Sequence, residues 1–209
     1  MNIFTTLGDQ MVAIYDLGGP VVAILIGLSV ISLAMILWKL WQFGALGVGR
    51  HHQIVAAIGH WDVGDMDQAD AALAQSRNAL SKSLSRTNGF AKQSRIEADA
   101  SAHLTRLEGG FRVLDSIAQI APLLGLFGTV LGMIDAFQAL QSAGDSVDPS
   151  LLAGGIWVAL LTTAAGLAVA MPTSLCLTFF DGRVAAERTL AETAIEARFA
   201  SQTPTSIAA

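Results

Sequence analysis

Positive charge is missing from most of this 209-residue chain. Its twelve lysine and arginine residues all fall within residues 39–112 and 183–198, and none occurs in residues 1–38 or 113–182. Charged residues make up 14% of the sequence, whereas soluble domains carry about 25%. The net charge of -5 argues against a nucleic-acid-binding surface, because such surfaces are basic. The composition therefore predicts a membrane protein rather than a soluble enzyme.

Cysteine is nearly absent as well. Cys176 is the single cysteine, which excludes a disulfide framework, and no cysteine–histidine cluster has the spacing of a metal site. The sequence contains no Gly-x-Ser-x-Gly motif, no pair of membrane aspartates and no histidine within its apolar stretches. We therefore expect neither an intramembrane enzyme nor a bound cofactor.

Three apolar stretches with charge-free interiors are each long enough to cross a bilayer, which takes about 20 residues in a helix. We predict membrane spans over residues 17–38, 113–140 and 152–178. The predicted fold is an all-α membrane protein with three transmembrane helices, the second and third of which extend into the cytoplasm. Before the first span, apolar residues recur at helical spacing from Ile3 to Ile14. This pattern fits either a short helix on the outer membrane face or a frayed tail.

The distribution of basic residues predicts the orientation. They are concentrated between the first two spans and after the third, whereas the N-terminal segment and residues 141–150 carry only acidic charges. Because cytoplasmic segments are enriched in lysine and arginine, the N-terminus is expected in the periplasm and the C-terminus in the cytoplasm. The predicted segments are a periplasmic segment (1–16), the first transmembrane helix (17–43), a cytoplasmic helical loop (44–111), a transmembrane hairpin (112–180) and a cytoplasmic tail (181–209).

Apolar periodicity predicts helices in the cytoplasmic loop. Met66, Leu73, Leu80 and Leu84 are spaced as on one face of an amphipathic helix. The repeat from Ile96 to Leu114 predicts that the second membrane helix continues for about five turns outside the bilayer. Gly109 and Gly110 are expected to loosen that helix near the membrane surface.

Small and hydroxyl-bearing residues dominate the second and third spans. Gly125, Gly128, Gly132 and Gly166 are candidates for close helix packing, since small residues let two backbones approach. Thr129, Thr162 and Thr163 are candidates for an ion pathway, although a membrane threonine usually bonds the carbonyl one turn back. A hydroxyl does not change its charge, so it can orient water but does not store a proton. A pathway built from threonines therefore needs a titratable group from elsewhere.

Two motifs carry a family resemblance. Residues 117–134 are IAQIAPLLGLFGTVLGMI and residues 159–172 are ALLTTAAGLAVAMP. Together they resemble the MotA/TolQ/ExbB proton-channel family and are closest to its ExbB and TolQ branch. The length and the three spans are also similar to that branch.

The resemblance implies a homo-pentamer in the bacterial inner membrane, whose second and third spans line a lumen. It implies an ExbD- or TolR-like single-span partner that supplies a membrane aspartate, and a TonB- or TolA-like protein that acts on the outer membrane in biopolymer transport. By motif position, Thr129 and Thr163 match the lumen-lining threonines of the family, and Thr162 is an adjacent, weaker match. The resemblance does not distinguish an ExbB role from a TolQ role, or protons from sodium.

The sequence departs from the family at one position. The family commonly carries a glutamate near the outer end of the third span, and this chain has Val158 there, within Ile-Trp-Val-Ala-Leu (156–160). Asp135 lies near the same membrane side and is a possible auxiliary carboxylate, although an interfacial aspartate is more often simply solvated. The alternative function is a non-conducting structural scaffold of the same complex.

Overall fold

The computed structural model describes residues 3–85, 93–143 and 149–200, and all regular structure in them is helical. The helices are α1 (Ile3–Leu46), α2 (His52–Asp62), α3 (Met66–Ala74), α4 (Leu80–Leu84), α5 (Gln93–Glu108), α6 (Phe111–Ala143) and α7 (Pro149–Ala200). Three helical stretches, Gly19–Leu46, Gln93–Ser142 and Leu152–Ala200, are long and apolar enough to cross a membrane. These findings confirm the predicted all-α fold with three membrane helices.

Helix α1 contains a break at the start of its apolar stretch. Gly19 has φ 65° and ψ −167°, which are not helical, and Pro20 follows it. Glycine adopts positive φ without a steric cost, and proline suits the first turn of a helix because no intrahelical hydrogen bond is required of its nitrogen. The helix before the break extends from Ile3, so that segment is helical. The predicted contact of the apolar residues between Ile3 and Ile14 with the outer membrane face concerns side chains that lie outside the described part of the structure.

The chain divides into two compact units. The first, here called the membrane unit, comprises residues 1–37 and 110–177, and the second, the polar unit, comprises residues 38–109 and 178–209. Helix α7 extends to Ala200, and only Gly109 and Gly110 separate α5 from α6. Gly110 has φ 89°, a conformation that glycine allows. The second membrane helix (α5 and α6) and the third (α7) therefore extend beyond their predicted spans. The second is interrupted at the predicted glycine pair, Gly109 and Gly110.

The polar unit has its own hydrophobic core. Its buried residues come from helices α2 to α5 and from the second half of α7, and they include Ile54, Trp61, Leu73, Leu80, Leu84, Ile96, Ala100, Ala191 and Ala194. The single amphipathic helix predicted through Met66 and Leu84 is wrong, because α3 ends at Ala74 and α4 begins at Leu80. The side chain of Asn78 accepts a hydrogen bond from the backbone N–H of Leu80 (2.8 Å) in the turn between them. Such local bonds compete with continuation of a helix.

A buried carboxylate connects three segments of the polar unit. Glu187 of α7 is fully buried. Its Oε1 accepts hydrogen bonds from the backbone N–H of Gly49 (2.8 Å), from Nε2 of His51 (3.0 Å) and from Nδ2 of Asn78 (2.9 Å). The same amide of Asn78 also donates to Oε2 (2.9 Å). Because a buried carboxylate is tolerated only when it is hydrogen-bonded, these contacts hold the α1–α2 and α3–α4 turns against α7.

Glu187→Ala is expected to lower the free energy of unfolding by about 3 kcal/mol, because it leaves the donors of Gly49 and Asn78 without their acceptor. The measurement is denaturant unfolding of the purified chain in detergent, followed by tryptophan fluorescence. Glu192→Ala is the matched control, since Glu192 is an exposed glutamate of the same helix, and it should change stability by less than about 0.5 kcal/mol. Equal effects of the two substitutions would contradict the structural role of Glu187.

Candidate functional site

The second and third membrane helices pack through small residues along one seam. A Cβ atom added to Gly125 would lie 2.9 Å from the carbonyl oxygen of Thr162, and one added to Gly128 would lie 2.7 Å from the Thr162 side chain. Further along, Gly132 faces Ala159 and Gly155 faces Ala136. Residue numbers rise on α6 as they fall on α7, so the two helices are antiparallel. Their backbones approach at distances that larger residues would prevent.

Two of the three candidate threonines bond across this seam. The hydroxyl of Thr162, which is only 2% exposed, donates to the carbonyl of Ala159 on its own helix (2.7 Å) and lies 3.2 Å from the carbonyl of Gly125. The hydroxyl of Thr163 donates to the same Gly125 carbonyl (3.2 Å). Thr129, in contrast, bonds within its own helix, to the carbonyl of Leu126 (2.6 Å). Thr162 is thus a packing residue of the seam, whereas Thr129 and Thr163 are partly exposed.

Helical geometry places Thr129 and Thr163 on the same side of the seam. Each residue of an α-helix is rotated by about 100° from the one before it. In an antiparallel pair, the residues that follow the contacting residues therefore turn toward one common side. Thr129 follows Gly128, and Thr163 follows Thr162. We call this surface the threonine face, and it comprises Leu126, Thr129, Leu160, Thr163 and Leu167.

Helix α1 packs against the other side of the hairpin. Val21 and Leu25 form a buried cluster with Ala121 and Ala170, and this cluster is covered by Leu124, Leu131, Ala165 and Val169. Leu124, Leu131 and Ala165 each precede a seam residue, so the same geometry places them opposite the threonine face. The large apolar residues of that face are exposed: Leu126, Leu160 and Leu167. The threonine face is therefore an apolar surface with two hydroxyls that no described part of the membrane unit covers.

The threonine face lacks a group that could carry a proton. No acidic or basic residue occurs between Asp115 and Asp135 on α6, or between Pro149 and Phe180 on α7. Hydroxyls donate and accept hydrogen bonds without changing charge. The described residues also contain no group of three or more His, Cys, Asp or Glu side chains placed to hold a metal ion. The face can therefore orient water or a carboxyl group, but it cannot itself take up or release a proton.

Asp135 and Val158 lie at one depth and on the α1 side of the seam. Asp135 precedes Ala136, which contacts Gly155, and Val158 precedes Ala159, which contacts Gly132. Both residues therefore point away from the threonine face. Along the helices, both lie in the region bounded by the Gly132–Ala159 and Gly155–Ala136 contacts. Asp135 is exposed and Val158 is half-buried.

The Glu187 network was not predicted from the sequence. Asn78 and Glu187 are 109 residues apart, and neither belongs to a motif. The predicted segments also assigned residue 78 to the loop and residue 187 to the tail, so no local pattern connected them.

The fold and the hairpin define a class: an all-α protein with three membrane-spanning helices, two of which form an antiparallel pair packed through small residues. A model of the MotA/TolQ/ExbB proton channel family matches residues 67–193, which is more than half of the chain. The chain belongs to this family. The matched range includes the whole seam and both threonines of the exposed face.

Individual relatives point to the ExbB branch. Biopolymer transport protein exbB1 of Vibrio cholerae is 48% identical over 67 residues, which cover 32% of this chain and 29% of that protein. An ExbB homolog of Methanothermobacter thermautotrophicus is 27% identical over 191 residues (88% and 66%). Biopolymer transport protein ExbB of Xanthomonas campestris is 32% identical over 121 residues (56% and 47%). The chain thus spans less than two thirds of the length of each of these relatives.

Gly166→Ala is expected to destabilise the hairpin by about 1–3 kcal/mol, because the added Cβ would lie 2.6 Å from the carbonyl oxygen of Ala121. This cost should exceed the gain in helix propensity, which is about 1 kcal/mol. The measurement is thermal unfolding in detergent, followed by circular dichroism.

Gly154→Ala is the matched control on the same helix, since a Cβ at Gly154 meets no atom within 4 Å. This substitution should leave stability unchanged or raise it slightly. If Gly166→Ala also raises stability, the close contact between α6 and α7 is not present in the protein.

Proposed function

We propose that the chain is an ExbB/TolQ-like subunit of a proton channel in the bacterial inner membrane. With an ExbD/TolR-like single-span partner, it couples the proton-motive force to TonB- or Tol-dependent work at the outer membrane. The observation that carries the proposal is the threonine face: Thr129 and Thr163 lie together on a charge-free apolar surface, opposite the side that α1 covers. Membership of the proton-channel family supports the same function.

We propose that the threonine face lines the central lumen of a homo-pentamer. If this face turned toward lipid, the hydroxyls of Thr129 and Thr163 would meet only hydrocarbon chains, whereas five copies turned inward present them to an enclosed apolar lumen that a partner can enter. In this arrangement α1 lies on the outside, against the bilayer. The side chains of Leu126, Leu160 and Leu167 form the apolar wall of the lumen, and the hydroxyls of Thr129 and Thr163 are the polar groups in that wall.

The partner supplies the proton carrier. An apolar lumen disfavours a charged carboxylate, so a membrane aspartate of the partner is held neutral between its points of contact with water. The hydroxyls of Thr129 and Thr163 then provide hydrogen bonds at one depth, where the acid is otherwise surrounded by hydrocarbon. Each proton that crosses 100 mV releases about 2.3 kcal/mol, which drives a conformational cycle only when leakage is prevented. A wall without charges of its own serves that purpose.

The proposed orientation follows from the basic residues. The polar unit contains eleven of the twelve lysines and arginines, all except Arg112. Because cytoplasmic segments are enriched in these residues, we place the polar unit and the C-terminus in the cytoplasm and the N-terminus in the periplasm.

A non-conducting scaffold is the second candidate, and Val158 is the observation that favours it. Valine cannot hold a proton or bind a cation where the family commonly has glutamate. A conducting form would depend on Asp135, since it places a carboxylate at the depth of Val158 and on the same side of the seam, the side that α1 covers. In the conducting form of the proposal, Asp135 supplies the carboxylate that Val158 lacks.

Thr163→Val and Thr129→Val should each lower proton flux several-fold, since a hydrogen bond between neutral groups contributes about 0.5–1.5 kcal/mol. The measurement is pH-dye fluorescence in vesicles that contain the complex with its single-span partner. Thr173→Val is the matched control, because Thr173 is a buried α7 threonine that bonds its own helix (2.7 Å to the carbonyl of Val169). Thr162→Val should change stability more than flux. Full flux in the Thr129 and Thr163 variants would overturn their assignment to the ion pathway.

Asp135→Asn and Val158→Glu distinguish conduction from scaffolding. If Asp135 supplies the carboxylate, Asp135→Asn should lower flux several-fold, and Val158→Glu in that background should restore it. Asp115→Asn is the control, since Asp115 is an exposed aspartate at the other end of the same span. If the wild-type complex shows no proton flux and the Val158→Glu variant does, the wild-type chain is a non-conducting scaffold.

A further inference from the structure

Two turns of the polar unit flank an open cavity of about 430 Å³, and its lining includes cationic side chains. One turn is the connection from α1 to α2 and carries Arg50, and the other is the connection from α3 to α4 and carries Arg77. Lys82 of α4 completes the lining cations. All three side chains are exposed, and no acidic residue of the described chain lines the cavity. The cavity therefore favours an anionic ligand.

The two turns are held in fixed contact. Gly47 has φ 68°, and a Cβ atom there would lie 2.5 Å from the carbonyl oxygen of Arg77. The backbone N–H of Ala79 donates to the carbonyl of Leu46 (3.0 Å). Glu187 binds Gly49 in the first turn and Asn78 in the second. Because both backbones are fixed, only the side chains of the cations lose freedom when they bind a ligand, which lowers the entropic cost.

The cations have no competing partner in the described parts of the chain. Among the described residues, His51 pairs with Glu187 and Arg188 pairs with Glu108, and neither pair involves Arg50, Arg77 or Lys82. Basic residues near a membrane helix are often simply solvated, in accordance with the charge bias of membrane proteins. That explanation accounts for the number of cations, but not for the convergence of three of them, from separate segments, on one cavity.

The cavity lies where lipid headgroups are expected. Trp38 and Trp41 are 48% and 71% exposed near the end of α1, and exposed tryptophans mark the interface between membrane and water. Gly44, which lines the cavity, is three residues beyond Trp41, or about 5 Å along the helix. The polar zone of a bilayer leaflet is several ångströms deep. The cavity is thus at the level of the phosphates rather than far out in water.

We propose that this cavity binds the phosphodiester headgroup of an anionic phospholipid. Arg50 and Arg77 offer guanidinium groups that can bind phosphate oxygens in pairs, and Lys82 adds a point charge. Ser76, which also lines the cavity, accepts a hydrogen bond from the N–H of Asn78 (3.2 Å), so its own proton is available to a phosphate oxygen. A free phosphate ion would meet the same groups, but the position of the cavity favours the lipid. The proposal requires α1 to end at a membrane surface and does not depend on ion transport.

The test uses the full-length chain, delipidated in neutral detergent and titrated with short-chain phosphatidylglycerol, phosphatidylcholine or inorganic phosphate, with native mass spectrometry as the readout. Phosphatidylglycerol should bind, and the other two should bind at least tenfold more weakly. Arg77→Gln should lower the affinity about fivefold, since each basic residue near a membrane surface contributes about 1 kcal/mol. Arg77→Lys should lower the affinity less than Arg77→Gln does, because lysine keeps the charge but loses the paired hydrogen bonds of a guanidinium. Arg95→Gln is the matched control, because Arg95 is an exposed arginine of α5 that does not line the cavity.

Three outcomes would overturn the proposal. Equal losses from Arg77→Gln and Arg95→Gln would show diffuse attraction to the whole polar unit. Inorganic phosphate that displaces the lipid at similar concentration would make this a site for a free anion. Binding of phosphatidylcholine as tightly as phosphatidylglycerol would mean that the cations do not select the headgroup. Unchanged circular dichroism and melting of Arg77→Gln exclude misfolding as the cause of a loss.

Discussion

The close approach of α6 and α7 is the constraint on which the membrane unit depends. Gly125 lies so near Thr162 and Thr163 that both hydroxyls reach its carbonyl oxygen. Hydrophobic burial contributes little between helices in lipid, so such small-residue packing and interhelical hydrogen bonds must supply the attraction. The same contact fixes the rotation of each helix about its axis. The rotation of each helix determines which side chains point toward the face that α1 leaves uncovered.

Part of this arrangement could be predicted from the sequence. The charge-free runs located the three spans, and the motifs singled out Gly125, Thr129 and Thr163 because small and hydroxyl-bearing residues are conspicuous among apolar ones. The sequence could not determine which side of the hairpin each threonine occupies, since that depends on which residues pair across the seam. A shift of one residue in the pairing would rotate Thr129 by about 100°. The contacts across the seam, such as that of Gly128 with Thr162, determine this register, and they are visible only in the structure.

The polar unit was less predictable for a physical reason. Its helices are short, and their ends are determined by contacts from elsewhere in the chain. The apolar spacing through Met66 and Leu84 is compatible with one helix, yet the turn at Asn78 divides it into two. Asn78 in turn binds Glu187 on α7, 109 residues away. Periodicity reports which residues are buried, but it does not report a long-range hydrogen bond that ends a helix.

The central claim is that Thr129 and Thr163 line a lumen between protomers rather than facing lipid. The most direct measurement is labelling of single cysteines with a small water-soluble thiol reagent, on a Cys176→Ser background, in membranes that contain the chain without its single-span partner, so that the lumen is vacant and open to the reagent. Thr129→Cys and Thr163→Cys should react, whereas Leu123→Cys should not, because Leu123 is two residues before Gly125 and points away from α7. Equal protection of all three cysteines, or labelling of Leu123→Cys alone, would contradict the account.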